Sequence, residues 1–237
     1  MMSIVKDVEK IFEVARKEGR KKLLEHEAFQ VCEYFGLSVA KYGLATSVED
    51  AVKIARSIGY PVVLKVVSPD VVHKSDVGGV TLYINSDGGV EKAFKKIVEN
   101  VTVKAPGARV KGVLVQEMLS RSMEVIVGAT RDKIFGPVVM FGLGGIFVEV
   151  LRDVSFRIAP IAPVDAETMI KEIKGYRILE GYRGEKPRDI EALKNIIIKV
   201  SRLVETLEDV VELDLNPIML YESGAGARIA DVRILVG

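Results

Sequence analysis

The segment Pro61-Val-Val-Leu-Lys-Val-Val67 constrains this chain more than any other. Its β-branched and aliphatic residues fall on both alternating faces, so it has no polar side to turn to water and reads as a buried strand. Around it the hydrophobic period switches repeatedly. Residues 1–36 form two helices around Gly19; in the second, Leu24, Ala28, Val31 and Phe35 share one face and Gly36 supplies the stop. Val39 to Gly43 is a short strand, and Ser47 with Asp50 makes a capping box for a helix through Val52, Ala55 and Ile58. Val80 to Asn85 and Gly112 to Met118 are further strands, separated by a helix from Val90 to Val101. The second half is richer in strands: Met123 to Thr130, Pro137 to Phe141 and Ile146 to Leu151. A short helix from Asp165, a longer one through Leu193 to Leu207, and two closing strands, Val210 to Tyr221 and Arg228 to Val236, follow. The pattern is that of an α/β (α+β) chain in two lobes joined near Gln116 to Ser122.

Composition removes several classes of function. The 237 residues carry 34 basic and 33 acidic side chains, a net charge of +1, so nothing drives non-specific binding to nucleic acid or an anionic membrane. Cys32 is the only cysteine, which excludes an intrachain disulfide and a cysteine-based zinc site. No apolar run approaches the ~20 residues of a membrane span. The first residues turn polar at Lys6-Asp7, too early for a secretory signal, and the expectation is a cytoplasmic protein.

Four places could carry chemistry. Lys65 is an ammonium within an apolar strand, expensive to bury unpaired, and it shares a strand face with Val63 and Val67. Two readings stand: a cation aimed into a site, where phosphate is a common partner, or a lysine snorkelling from an edge strand. The second place is the loop Ser68-Pro-Asp-Val-Val-His-Lys-Ser-Asp-Val-Gly-Gly-Val80. It offers an imidazole nucleophile at His73, a cation at Lys74 and the backbone freedom of Gly78-Gly79; it also fits an ordinary polar loop closed by a turn. His26, by contrast, lies among Lys22, Gln30 and Glu33 on the polar side of its helix and reads as a surface residue.

The third place is Glu212-Leu-Asp-Leu-Asn-Pro-Ile218, where Glu212, Asp214 and Asn216 share one face and Val211, Leu213 and Leu215 the other. If the hairpin turns about Ser223-Gly224, Asn216 falls opposite Asp231. Cross-strand neighbours lie about 5 Å apart, close enough for two hard oxygen ligands to share one Mg²⁺. A protective polar strand edge is the plain alternative. The fourth is Gln116-Glu117-Met118 at the junction of the lobes, with Glu124 on the next strand: backbone groups for a base and a carboxylate for a ribose. The run Phe141-Gly-Leu-Gly-Gly-Ile146 lacks the third glycine and following helix of a dinucleotide fingerprint and reads as a strand-to-strand turn.

Taken in order, Gly59-Tyr-Pro-Val-Val-Leu-Lys65, His73-Lys-Ser-Asp-Val-Gly-Gly-Val80, Val115-Gln-Glu-Met118, Phe135-Gly-Pro137, Gly142-Leu-Gly-Gly145, Gly181-Tyr-Arg-Gly184 and Glu212-Leu-Asp-Leu-Asn-Pro217 resemble the ATP-grasp β subunit of ADP-forming acetyl-CoA synthetase (acetate–CoA ligase), related to the succinyl-CoA synthetase β subunit. The resemblance runs from about Arg20 to the C-terminus, and its histidine loop is absent from general ATP-grasp enzymes. It implies an ATP-grasp fold clasping a nucleotide: an N-terminal helix over 1–19, a lobe over 20–115 with the phosphate lysine and histidine loop, and a lobe over 116–237 with the adenine hinge, glycine loop and metal hairpin.

By the same resemblance, Lys65 holds nucleotide phosphates, Gln116, Glu117 and Met118 read adenine, and Glu124 binds ribose. Asn216 and Asp231 hold Mg²⁺, with Asp214 nearby through water, and His73 carries a phosphoryl group transiently. Val232 departs from the family, where a small alanine is expected. ATP/ADP is the substrate, and a CoA-binding α subunit is the partner, in an α2β2 heterotetramer. Two other functions remain open: a stand-alone carboxylate–amine ligase, and a non-catalytic nucleotide-sensing subunit.

Overall fold

The computed structural model describes residues 2–145, 152–182 and 184–237, the side chains of 2–4 excepted; the strand expected over 146–151 lies outside the described residues. The chain divides into two compact units, a smaller one of Leu24–Glu27 and Ala40–Leu119 and a larger one of Met1–Leu23, Ala28–Val39 and Ser120–Gly237.

The smaller unit is a four-stranded antiparallel sheet backed by two helices. Its strands are β1 (Tyr42–Ala45), β2 (Val62–Val67), β3 (Val80–Ile84) and β4 (Gly112–Glu117), in the order β1-β4-β2-β3. The helices are α3 (Val48–Ile58) and α4 (Asp87–Lys104), numbered after α1 (Met2–Lys17) and α2 (Glu25–Tyr34), of which only Glu25–Glu27 belongs to this unit. The Ser47 side chain accepts the Asp50 amide at 3.1 Å and fixes the start of α3, as the capping box requires. Val62, Leu64 and Val66 of β2, with Val113 and Val115 of β4, pack with Ala51 and Ala55 of α3 and Val90, Phe94 and Ile97 of α4. Strand alternation therefore turns Val63, Lys65 and Val67, and with them Leu114 and Gln116, to the face away from the helices.

The larger unit has six described strands: β5 (Met123–Asp132), β6 (Gly136–Leu143), β7 (Val154–Ile158), β8 (Val210–Leu220), β9 (Ala227–Ile229) and β10 (Val232–Val236). They run β10-β8-β5-β6-β7, with β9 pairing β8, every pairing antiparallel. Helices α5 (Pro163–Glu172) and α7 (Ile190–Thr206), joined through the short α6 (Tyr176–Leu179), cover one face. Arg131 donates to the carbonyls of Val204 and Leu207 at the end of α7, and the Ser155 hydroxyl donates to the Met169 carbonyl of α5, which identifies the covered side. Val127, Ala129, Val139 and Phe141 share that side by register and are buried. Glu124, Ile126, Gly128 and Thr130 therefore point to the opposite face, with Asp214 across from Gly128 and Glu212 across from Thr130.

Several expectations need correction. Val211 does not join Leu213 and Leu215: it is 41% exposed while Val210 is 2% exposed, because the register shifts between Leu235 and Val236 and leaves Val211 as an extra residue in β8. The last strand is two, β9 and β10, broken at Ala230-Asp231. Strand β7 and helix α6 were not expected, being short and weakly patterned. His26 is half-buried rather than solvated.

Cys32 is fully buried, and burial pushes its thiol far above the ordinary range. A thiol reagent such as Ellman's should therefore titrate no cysteine in the native protein and one after denaturation; rapid native reaction would show that the α2 core opens readily.

Candidate functional site

In the larger unit, the geometry of the site is set by a second irregularity in β8. Val125 and Val127 of β5 face Ile218 and Leu215, so Asn216 and Pro217 together stand opposite the single residue Ile126. This two-for-one bulge shifts the alternation, placing Leu215 and Ile218 both in the core and Asn216 out in solvent. On the other edge of β8, Leu215 faces Val232 and Ile218 faces Ile229. Asn216 and Asp231 are thus opposite each other, as the hairpin arithmetic requires, and the Asn216 amide donates to the Asp231 carbonyl at 3.2 Å. Val232 is buried against the core side, so its departure from alanine alters packing and not the polar face.

Asp214 lies two positions before Asn216, across from Arg233, whose guanidinium bonds Glu212. Burial holds the Asp214 carboxyl above the usual range, Arg233 opposes this, and Glu212 and Asp231 add to it. Three carboxylates are therefore close enough to feel one another around one cation. A metal ion fits the chemistry of this donor set. Asn216, Asp214 and Asp231 offer hard oxygens, as Mg²⁺ prefers, and Mg²⁺ needs only one or two protein oxygens when waters and phosphates supply the rest. Among the described residues no group of three or more His, Cys, Asp or Glu side chains is placed to hold a metal ion by itself. A groove of about 490 Å³ continues along this face, lined by Gly128, Met140, Phe135, Phe156, Asp214 and Arg233.

Glu124 is exposed on the same face, and its carbonyl accepts the Gly144 amide at 2.8 Å. That bond brings the glycine turn after β6 against the backbone of the residue whose carboxylate is expected to bind ribose.

In the smaller unit, Lys65 is half-buried at the centre of β2, between Val80 and Leu114 in the sheet. Gln116, 2% exposed, lies across from Val63 on the same face. The Glu117 and Met118 amides donate to the carbonyls of Lys41 and Pro61 at 2.8 and 3.1 Å, and the Glu117 carboxylate accepts the Lys41 amide. An adenine contact from this segment would therefore use carbonyl oxygens.

His73 is exposed at the tip of the loop between β2 and β3. The expectation that Lys74 offers its charge to an anion meets a competitor: its ammonium is paired with Glu25 in a largely buried ion pair. Nothing in the sequence signals that partnership, which joins residues far apart in the chain. Arg233 was also missed, although its place opposite Asp214 follows from the same hairpin register.

Two antiparallel sheets, each helix-backed on one face, with a lysine on the other face of one and two oxygen-bearing side chains across the last hairpin of the other, are the parts of a nucleotide-grasping enzyme domain. Residues 14–236 match the ATP-grasp domain family. The chain is 48% identical, over 99% of its own length and 100% of the relative's, to the acetate–CoA ligase (ADP-forming) I subunit β of Pyrococcus furiosus. It is 51% identical over 97% of its length to the acetate–CoA ligase (ADP-forming) I of Archaeoglobus fulgidus, of which it spans only 33%. Its fold matches, with a TM-score of 0.85, 46% identity and coverage of 97% of this chain and 100% of the other, the dinucleotide-forming acetyl-coenzyme A synthetase 1 of Ca. Korarchaeum cryptofilum, solved with coenzyme A and Mg-AMPPCP and with its phosphohistidine segment pointing towards the nucleotide binding site. The chain belongs to the ATP-grasp family, in its branch of ADP-forming acetyl-CoA synthetase β subunits.

Lys65→Met keeps the aliphatic stem and removes the charge, so it separates binding from packing. The expected outcome is at least a tenfold weaker calorimetric affinity for Mg·ADP, about 1.4 kcal/mol, with the fold intact. Normal affinity combined with a lower melting temperature would make the lysine structural.

Proposed function

We propose that this chain is the nucleotide-binding half of a two-component enzyme converting acyl-CoA, ADP and phosphate into the organic acid, CoA and ATP. A CoA-binding α subunit, assembled with it as α2β2 in the cytoplasm, cleaves acyl-CoA with phosphate to CoA and an acyl phosphate. The phosphoryl group passes to a histidine of that subunit and releases the acid. The P–N bond there breaks as the lone pair of a His73 ring nitrogen forms a new one. A terminal oxygen of ADP then takes the phosphoryl group, forming ATP and freeing His73.

What supports the reading is the placement of the two histidines in the sequence. His26 is half-buried on α2, while His73 is exposed on a loop whose return strand, β3, pairs with Lys65 through Val80. Among the described residues His73 makes no hydrogen bond or ion pair, so its ring is available to either donor or acceptor. Lys65 holds the phosphates, the carbonyls of Gln116 to Met118 face the base, and Glu124 takes the ribose. Asn216 and Asp231, with Asp214 through water, hold Mg²⁺, which neutralises phosphate charge when bound.

Loss of one metal oxygen and loss of the carrier should have different kinetic consequences. Asp231→Asn should raise the KM for Mg·ADP about tenfold or more, the size of a lost charged ligand. His73→Gln keeps hydrogen bonding without forming a phosphoramidate, so it should bind Mg·ADP normally and lose acyl-CoA-driven ATP synthesis with the partner subunit. Substantial synthesis by the Gln variant would reduce His73 to an orienting role, and unchanged KM in Asp231→Asn would remove the metal assignment.

A further inference from the structure

The loop carrying His73 is held on both sides of its tip. Before the tip, Asp70 accepts three bonds from Arg109: the backbone amide and Nε on one oxygen, at 2.8 and 2.9 Å, and Nη2 on the other at 2.8 Å. These bonds pull the Asp70 carboxyl down to about 2. After the tip, a turn closes through the Gly78 amide to the Ser75 carbonyl at 3.0 Å and the Gly79 amide to the Lys74 carbonyl at 2.7 Å. Gly79 is pressed against β2, where its carbonyl accepts the Val66 amide and an added Cβ would lie 2.6 Å from the Val66 side chain. Two further contacts anchor the turn: the Glu25–Lys74 pair, and the Asn100 amide of α4, which donates to the Gly78 carbonyl at 3.0 Å. Gly78 has φ +68, and a Cβ there would meet Asn100 at 2.6 Å, so the carboxamide and the turn are shaped to each other. Between the two holds, Val72 is 73% exposed and neither it nor His73 is hydrogen-bonded among the described residues.

We propose that Asn100 is a positioning residue for phosphoryl transfer: with the Glu25–Lys74 pair it fixes the turn after His73, so that the imidazole swings on a tether of two residues rather than on the whole loop. The inference rests on the reading of His73 as the carrier. Phosphoryl transfer depends on placing the nucleophile in line, and an ångström of extra freedom can cost a large factor in rate without touching substrate affinity.

The test combines Asn100→Ala with Asn100→Asp, the second preserving shape while aiming an acceptor at the Gly78 carbonyl. Both should label at His73 with γ-³²P-ATP about tenfold more slowly than wild type, and lower kcat for ATP synthesis with the partner subunit by a similar factor. The KM for ADP and the calorimetric affinity for Mg·ADP should not move. The melting temperature of Asn100→Ala should change little, since the better helix propensity of alanine offsets much of the lost hydrogen bond. Glu25→Gln should act in the same direction. Labelling of Asn100→Ala at the wild-type rate would overturn the positioning role alone. So would a slowing matched by an equal loss of Mg·ADP affinity, which marks general disruption. Failure of the wild-type chain to label at His73 would overturn the carrier reading, and this inference with it.

Discussion

The pairing of β8 is the constraint on which the larger unit depends. This strand has partners on both sides over most of its length, β5 on one edge and β9 with β10 on the other. A slip of one residue would carry Leu213, Leu215, Ile218 and Leu220 from the core into water. At roughly 1.5–3 kcal/mol per large aliphatic side chain, that penalty is comparable to the whole margin by which a domain is stable, so burial strongly fixes the register. The polar face follows without further cost. Because the core residues are fixed, Asp214 must face Arg233, and the bulge must put Asn216 in solvent beside Asp231.

The smaller unit solves a different problem, that of keeping one loop tip free while holding its base. Apolar residues on one face of β2 lock the sheet to α3 and α4, and this leaves Lys65 and Gln116 on the other face. The loop after β2 is then returned to the same strand by the Gly79–Val66 bond and tied to α4 by Asn100. A single hydrogen bond of this type contributes about 0.5–1.5 kcal/mol. That is enough to favour one turn geometry several-fold and too little to freeze the tip, which suits the carrier role proposed for His73.

Most of the architecture was legible in the sequence because it rests on periodicity. The almost wholly apolar β2, the capped α3, the apolar stripe of α7 (Leu193, Ile196, Ile197, Val200, Leu203 and Val204) and the closing hairpin announce themselves through burial, and the hairpin arithmetic by itself puts Asn216 opposite Asp231. The bulges at Val211 and at Asn216-Pro217 were not legible, since strict alternation assumes one residue against one, and an extra residue is revealed only by its partner strand. The Glu25–Lys74 pair was hidden for a related reason: ion pairs between residues distant in the chain leave no local pattern. Asn100 did leave a trace. It lies three residues after Ile97 and one before Val101, an amide beside the buried stripe of α4, and such a position asks for a hydrogen-bonding partner.

The central claim is that the phosphoryl group rests on one particular side chain of this chain. Because the sequence holds only two histidines, the claim can be settled by locating the modification within intact peptides. The chain, treated with Mg-ATP and digested at neutral pH to preserve the P–N bond, would be sequenced by electron-transfer fragmentation in a mass spectrometer. The account predicts an added phosphoryl mass on the peptide spanning Ser68 to Val80, with the fragment series breaking at His73. A phosphoryl group found on His26, or on a serine or carboxylate of the same loop, would contradict it.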